Sequence, residues 1–440
     1  MIIKKAMNAN SEVSKIYRKI DLRILPFLLI CYFIAYLDRV NVGFAKLYMQ
    51  SDLGLSDAAY GLGAGIFFIG YAIFETPSNL LLTKIGARKT LSRVMLLWGA
   101  TSSCMFLVNS ETSFYILRFL LGVFEAGFAP GMIYYLTLWY GRDRLARVMA
   151  ITMLAGPIGS IVGSPLSTWI MTEFAGVGGL KGWQWMFLIE GLPAVFLGIL
   201  ALKILVDSPS QAKWLSANEK KIHANLVATP DNVHTSLRVA LKDPRIYLMA
   251  LGYFCLICGI YSMSFWLPSI IRDSGVKDLM SIGFLTAIPY LGAIILMQIF
   301  GRTSDIYNER RWHTAVPAFI AACSLAVSTI FNDNLVASLA FLSLGTALVW
   351  SAYTVFWAIP AQYLQGTAAA GGIAVINTIG LLGGFVSPTL IGLLKSLTGS
   401  TSVGILAMAG IVGVGSLLLA ANKPKSNTSS VTDSLINKKG

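Results

Sequence analysis

Charge is scarce in this sequence. Asp, Glu, Lys and Arg make up 12% of its 440 residues against 55% hydrophobic ones, too little polarity to cover a soluble globule. Histidine occurs only at His223, His234 and His313, in loop or linker positions where solvated side chains are expected. No metal-ligand spacing, Ser/His/Asp set or nucleotide loop appears. The sequence therefore predicts no enzyme, no metal and no cofactor. The five cysteines (Cys31, Cys104, Cys255, Cys258 and Cys323) all fall in apolar runs. That placement excludes a disulfide framework, and even the C-x-x-C at Cys255 reads as packing. A small-residue cleavage pattern is also missing after the polar first twenty residues, so the first helix is expected to remain.

Apolar runs are what the chain has in abundance, and mean hydropathy is +0.68. Twelve are long enough to cross the roughly 30 Å hydrocarbon core. They lie near 22–44, 58–82, 91–108, 113–139, 147–171, 184–205, 246–270, 281–300, 314–331, 335–363, 369–394 and 401–421. The alternation of a membrane barrel is absent, so an all-α membrane protein of twelve spanning helices is expected. A net charge of +13 could point to nucleic acid, but most of the 34 Lys and Arg fall on one side of these spans. That asymmetry is the positive-inside rule: it places both termini in the cytoplasm, makes a lipid bilayer the partner and leaves no role for nucleic acid.

A polar stretch after the sixth span divides the chain. The expected parts are a cytoplasmic segment 1–21, a six-helix bundle 22–206, a linker 207–244, a second bundle 245–421 and a tail 422–440. The halves repeat: Asn79 to Lys89 and Gly301 to Arg311 follow equivalent spans at an offset of 222. Duplicated six-span halves are a transporter architecture with its site at the midplane.

Inside the apolar run from Ile24, Asp38 and Arg39 stand side by side. A charge at mid-membrane costs at least about 2.5 to 3.5 kcal/mol, so such groups mark ion or substrate pathways. Arg118 and Glu125 lie at similar depth in the fourth span. If the first and fourth spans adjoin, the four charges form one cluster, with Arg39 as the counter-ion of Asp38. Arg118 is then the better carboxylate clamp, because its guanidinium fork stays charged and binds bidentately. Protonating Asp38 and Glu125 would release Arg39 and Arg118 as a positive, substrate-binding pocket, so proton and anion would bind together. Glu75, beside Lys84 and Arg88, reads as a gating salt bridge, and Glu190 as an anchor of the sixth span, with substrate contact as the alternative. The spans of the second half carry no charge; Trp350, Tyr353 and Trp357 form a stripe on the tenth, with Thr354 beside them, and Asn377 stands in the eleventh.

The loop motifs, including Asp305 and Arg310 in the better-preserved second copy, resemble those of the major facilitator superfamily. More specific are Y-L-D-R-V-N-V-G-F-A (Tyr36 to Ala45), E-T-P-S-N (Glu75 to Asn79), R-F-L-L-G-V-F-E-A-G-F-A-P-G (Arg118 to Gly131) and G-W-Q-W-M-F-L-I-E-G-L-P (Gly182 to Pro193). Together they resemble the anion:cation symporter family. The resemblance implies a monomeric importer of organic carboxylates such as tartrate, sugar acids or aromatic acids, driven by protons across a bacterial cytoplasmic membrane. It also implies proton-carrying roles for Asp38 and Glu125 and an anion contact for Arg118. Tyr36, Tyr71, Thr354, Trp357 and Asn377 match positions that line the substrate cavity. Leu381 departs from the family, where Asn is frequent, and so removes one polar group. A proton-coupled exporter, faintly matched by A-G-P-I-G-S (Ala155 to Ser160), and a transporter-like sensor are the alternatives.

Overall fold

A computed structural model describes residues 2–227, 242–331, 333–363 and 366–422. His234, most of the linker after Val227 and the tail after Asn422 lie outside the described residues. The described residues are mainly helical, with no strand among them. The first half comprises α1 (Ile2–Leu53), α2 (Asp57–Ile85), α3 (Ala87–Cys104), α4 (Glu111–Glu125), α5 (Phe128–Trp139), α6 (Arg142–Met153), α7 (Ala155–Glu173) and α8 (Gly182–Ile204). A linker helix α9 (Ala217–Val227) precedes the second half. That half comprises α10 (Pro244–Asp273), α11 (Leu279–Tyr307), α12 (Arg311–Ser328), α13 (Leu335–Phe356), α14 (Ala358–Tyr363), α15 (Gly366–Thr398) and α16 (Thr401–Ala421).

Eleven helical stretches among the described residues are long and apolar enough to cross a membrane. The twelfth expected one, at 91–108, is helical as α3 but not apolar enough to be counted. Its buried face carries Thr90, Ser92, Thr101, Ser102 and Ser103, and it packs against α8 and α4. An internal helix can be this polar because its neighbours, rather than lipid, receive its hydroxyls; Ser92 Oγ, for example, donates to the Gly198 carbonyl at 2.6 Å.

Three expected spans are broken: the fourth, the fifth, which turns at Leu154 between α6 and α7, and the tenth. The fourth stops at Glu125 and restarts at Phe128, because Gly127 takes a left-handed φ of 90° that only glycine adopts freely. The tenth breaks at Trp357, between α13 and α14. Backbone freed by such breaks is tolerated at membrane depth where protein surrounds it.

The halves meet through α2 with α15, α7 with α11 and α1 with α10. Polar contacts between them gather at one end. Lys46 of α1 is buried, pairs with Asp57 at 2.8 Å and lies 3.5 Å from the Trp266 ring centre of α10. There Arg272 donates to the Leu47 carbonyl at 2.5 Å, Tyr60 to the Phe265 carbonyl at 3.2 Å, and the Ala58 amide to Ser396 at 2.9 Å. Gly61 of α2 crosses close over Pro388 of α15, where any Cβ would strike the Pro388 carbonyl. Replacing Gly61 with Leu should force this end apart. Overpacking of this kind costs about 1–3 kcal/mol, so uptake should fall about tenfold with expression and monodispersity preserved.

The linker is anchored to the first half. His223 of α9 is buried and bonded to the Trp139 carbonyl at 2.9 Å, which corrects the expectation of a solvated side chain. Trp139 also stacks on Trp214, which brings the linker against α5. The Lys19 ammonium, donating at 2.6 Å, holds the Glu219 carboxyl below the usual carboxylate range. His313 is half-buried and engages Glu309 at 2.7 Å, so it too has a protein partner.

Candidate functional site

Arg39 lies where the halves face one another. Its Nη2 pairs with Glu125 at the broken end of α4, and its Nη1 donates to the Tyr261 hydroxyl of α10 at 3.0 Å. The rings of Tyr36, Phe67 and Tyr71 surround the guanidinium at 5.4, 5.5 and 5.8 Å, within cation–π range. Glu125 is 1% exposed, and neither its Oε2 nor Arg39 Nε has a hydrogen-bond partner. The pair is largely buried and incompletely satisfied, so it has unused capacity for a further polar group.

The four charges lie within electrostatic reach of one another, but their bonds divide them among three settings. Asp38 is not paired with Arg39. It accepts from Trp98 Nε1 at 2.6 Å and Ser102 Oγ at 2.9 Å, both on α3. Successive residues of a helix point about 100° apart, so sequence neighbours there face different partners. Arg118 is 1% exposed and donates to the carbonyls of Gly63 at 3.3 Å and Ala64 at 3.0 Å, with Phe67 beneath it at 5.1 Å. Its fork is committed to the backbone of α2, so Arg39 rather than Arg118 is the cation presented between the halves.

The gating residues separate as well. Glu75 is not bonded to Lys84 or Arg88; its Oε1 accepts from Asn377 Nδ2 of α15 at 2.8 Å, a bond that joins the halves. Lys84 is exposed, and Arg88 instead takes Asp207, its amide donating at 2.8 Å. Asp305 and Arg310 do pair, at 2.5 Å, with Ser304 accepting from Arg310 at 2.8 Å. Substituting Asn377 with Leu would leave the buried Glu75 carboxyl without its donor. A lost partner of that kind costs about 1–3 kcal/mol, and about a tenfold loss of transport is expected, measured as initial uptake rate at equal protein amounts.

The aromatic stripe is partly packing and partly wall. Trp350 is buried, with its ring 6.3 Å from Tyr36 across the interface, while Tyr253 of α10 stacks on Tyr353 at 6.0 Å and meets Trp357 at 4.9 Å. Thr354 back-bonds to the Trp350 carbonyl at 2.9 Å. Leu381, one turn beyond Asn377 on α15, is buried and apolar. Sequence reasoning missed Tyr261, although the repeat contained the signal: Arg39 and Tyr261 are 222 residues apart, the offset of the two halves. Phe67, Trp98 and Tyr253 carried no comparable mark.

The model of the Major Facilitator Superfamily matches residues 28–388. The chain belongs to that superfamily. This major facilitator is 45% identical to a protein of Agrobacterium vitis whose name assigns it to tartrate transport, over 94% of the chain and 95% of the relative. It is 42% identical to the quinolone resistance transporter of Acinetobacter baumannii, over 85% of the chain and 87% of the relative. Its fold is similar to a bacterial homologue of the human lysosomal transporter Spinster, solved inward-facing and unoccupied. The TM-score is 0.71 at 14% identity, over 90% of the chain and 93% of that structure. The chain is thus a multi-pass membrane transporter.

Proposed function

We propose that this major facilitator imports an organic carboxylate by symport with protons, in a bacterial cytoplasmic membrane with both termini inside. The observation that carries the reading is the largely buried Arg39–Glu125 pair facing Tyr261 of the opposite half. With Glu125 ionised, the pair is neutral and Arg39 is occupied. Protonation of Glu125 frees the guanidinium, and a substrate carboxylate then restores neutrality. Bound alone, proton or anion would leave an unbalanced charge in a low dielectric, so the two are driven to bind together. Tyr36, Tyr71, Tyr261 and Asn377 surround the position such an anion would take, and the uncharged second half selects the rest of the molecule. Alternating access then requires the Lys46, Asp57 and Trp266 end to open while the opposite end closes.

The Agrobacterium relative's name supports a dicarboxylate, and the mainly basic loops on one face support the orientation. The Acinetobacter relative's name favours a second reading, export of a quinolone-type drug against protons. Uptake into proteoliposomes under an inward proton gradient, across tartrate, sugar acids and aromatic acids, separates the two. Accumulation of one carboxylate supports import. No carboxylate uptake, with drug moving against the proton gradient, supports export.

A further inference from the structure

Glu190 lies outside the Arg39 site, on α8, and is 2% exposed. Its Oε1 accepts from Ser167 Oγ of α7 at 2.7 Å, while its Oε2 is buried without a hydrogen-bond partner. Asn41 of α1 adjoins it, fully buried, and neither atom of the Asn41 amide makes a hydrogen bond of good geometry. One turn back on α1 is Asp38, another acid, within electrostatic reach of Glu190. The elements packed on α8 are α1, α3 and α7. They face this region with Asp38 and Asn41, with Trp98, Ser102 and Ser103, and with Ser167 respectively. Arg39 is committed to Glu125 and Tyr261. Arg118 and Glu125 are within electrostatic reach of Asp38, but neither is bonded to it.

Two buried carboxyls thus share a region that holds no bonded cation. Burying an unpaired carboxylate is strongly unfavourable, and two like charges in one dry site cannot both form. We propose that Asp38 and Glu190, with Asn41 between them, form one proton-loading site in which Glu190 is a second proton carrier. Fully loaded, the pair holds two protons and is neutral. Release of one proton to water leaves a single negative charge that either carboxyl can accept, and the remaining proton stays in the pair. The site is separate from the anion pocket, and its part in transport rests on the proton-symport reading above.

The test is the pH dependence of uptake in proteoliposomes for wild type, Asp38→Asn, Glu190→Gln and the double variant, each checked for monodispersity. Each single variant should keep a pH response through its remaining carboxyl, and the double variant should lose the response carried by this pair. Glu190→Gln should also move the midpoint of the uptake profile to higher pH by about half a unit or more, because the charge is then confined to one carboxyl. That shift decides the matter if Asp38→Asn does not fold. A Glu190→Gln profile superimposable on wild type would overturn the proposal, as would complete loss of the pH response in either single variant or a requirement for Na⁺ removed by Glu190→Gln. A wild-type protein whose uptake ignores pH would instead count against symport itself.

Discussion

Replacing Glu125 with Gln is expected to reduce proton-driven accumulation of substrate at least 100-fold while leaving exchange of substrate across the membrane in place. Gln keeps the shape and can still accept from Arg39, so the pocket should hold together, but it cannot alternate between charged and neutral forms. Arg39 is then permanently free for an anion, as it is in the protonated wild type. Binding and exchange survive, whereas the return of the empty carrier now takes an unpaired buried guanidinium across the cycle. Removing one partner of a buried pair costs about 3–5 kcal/mol, enough to stall that step by 100-fold or more. The readout is the ratio of gradient-driven uptake to counterflow. A variant that still accumulates substrate fully under a pH gradient would remove Glu125 from the coupling.

Arg39 should be the most sensitive position for affinity. Arg39→Lys retains a charge but loses the planar fork, the bond to Tyr261 and the fit among the rings of Tyr36, Phe67 and Tyr71. Truncating one partner of a buried charge pair costs about 2–5 kcal/mol, so KM for the carboxylate should rise at least 30-fold. Arg118→Lys provides the contrast. Its donors serve the Gly63 and Ala64 carbonyls, so the loss should lower thermal stability, with KM changed only a few-fold. The reverse result, with KM rising at Arg118 and not at Arg39, would return the anion clamp to the fourth span.

Much of the fold was legible in the sequence because length and hydropathy determine which segments can lie in lipid. The duplicated halves were visible in the repeat at an offset of 222. The third helix was the marginal case: α3 is sheltered by α4 and α8, and shelter of that kind leaves no periodic trace. Asp38, Arg39, Arg118 and Glu125 were identifiable as charges out of place, but their pairing was not. Adjacency in sequence suggested Asp38 with Arg39, whereas helical geometry sends one to Trp98 and Ser102 and the other to Glu125. Glu75 with Asn377 was illegible for a different reason. That bond crosses 302 positions and exists only once α2 and α15 are packed together. The break after Glu125 was written in E-A-G-F-A-P-G, where Gly127 permits the left-handed turn.

The central claim is that proton and carboxylate move together in the same direction. It is tested most directly by reconstituting the transporter without an imposed gradient, adding the transported carboxylate outside and recording external pH. Symport predicts that the outside medium becomes more alkaline on substrate addition, with Glu125→Gln silent. External acidification, or uptake with no proton movement, would contradict the account.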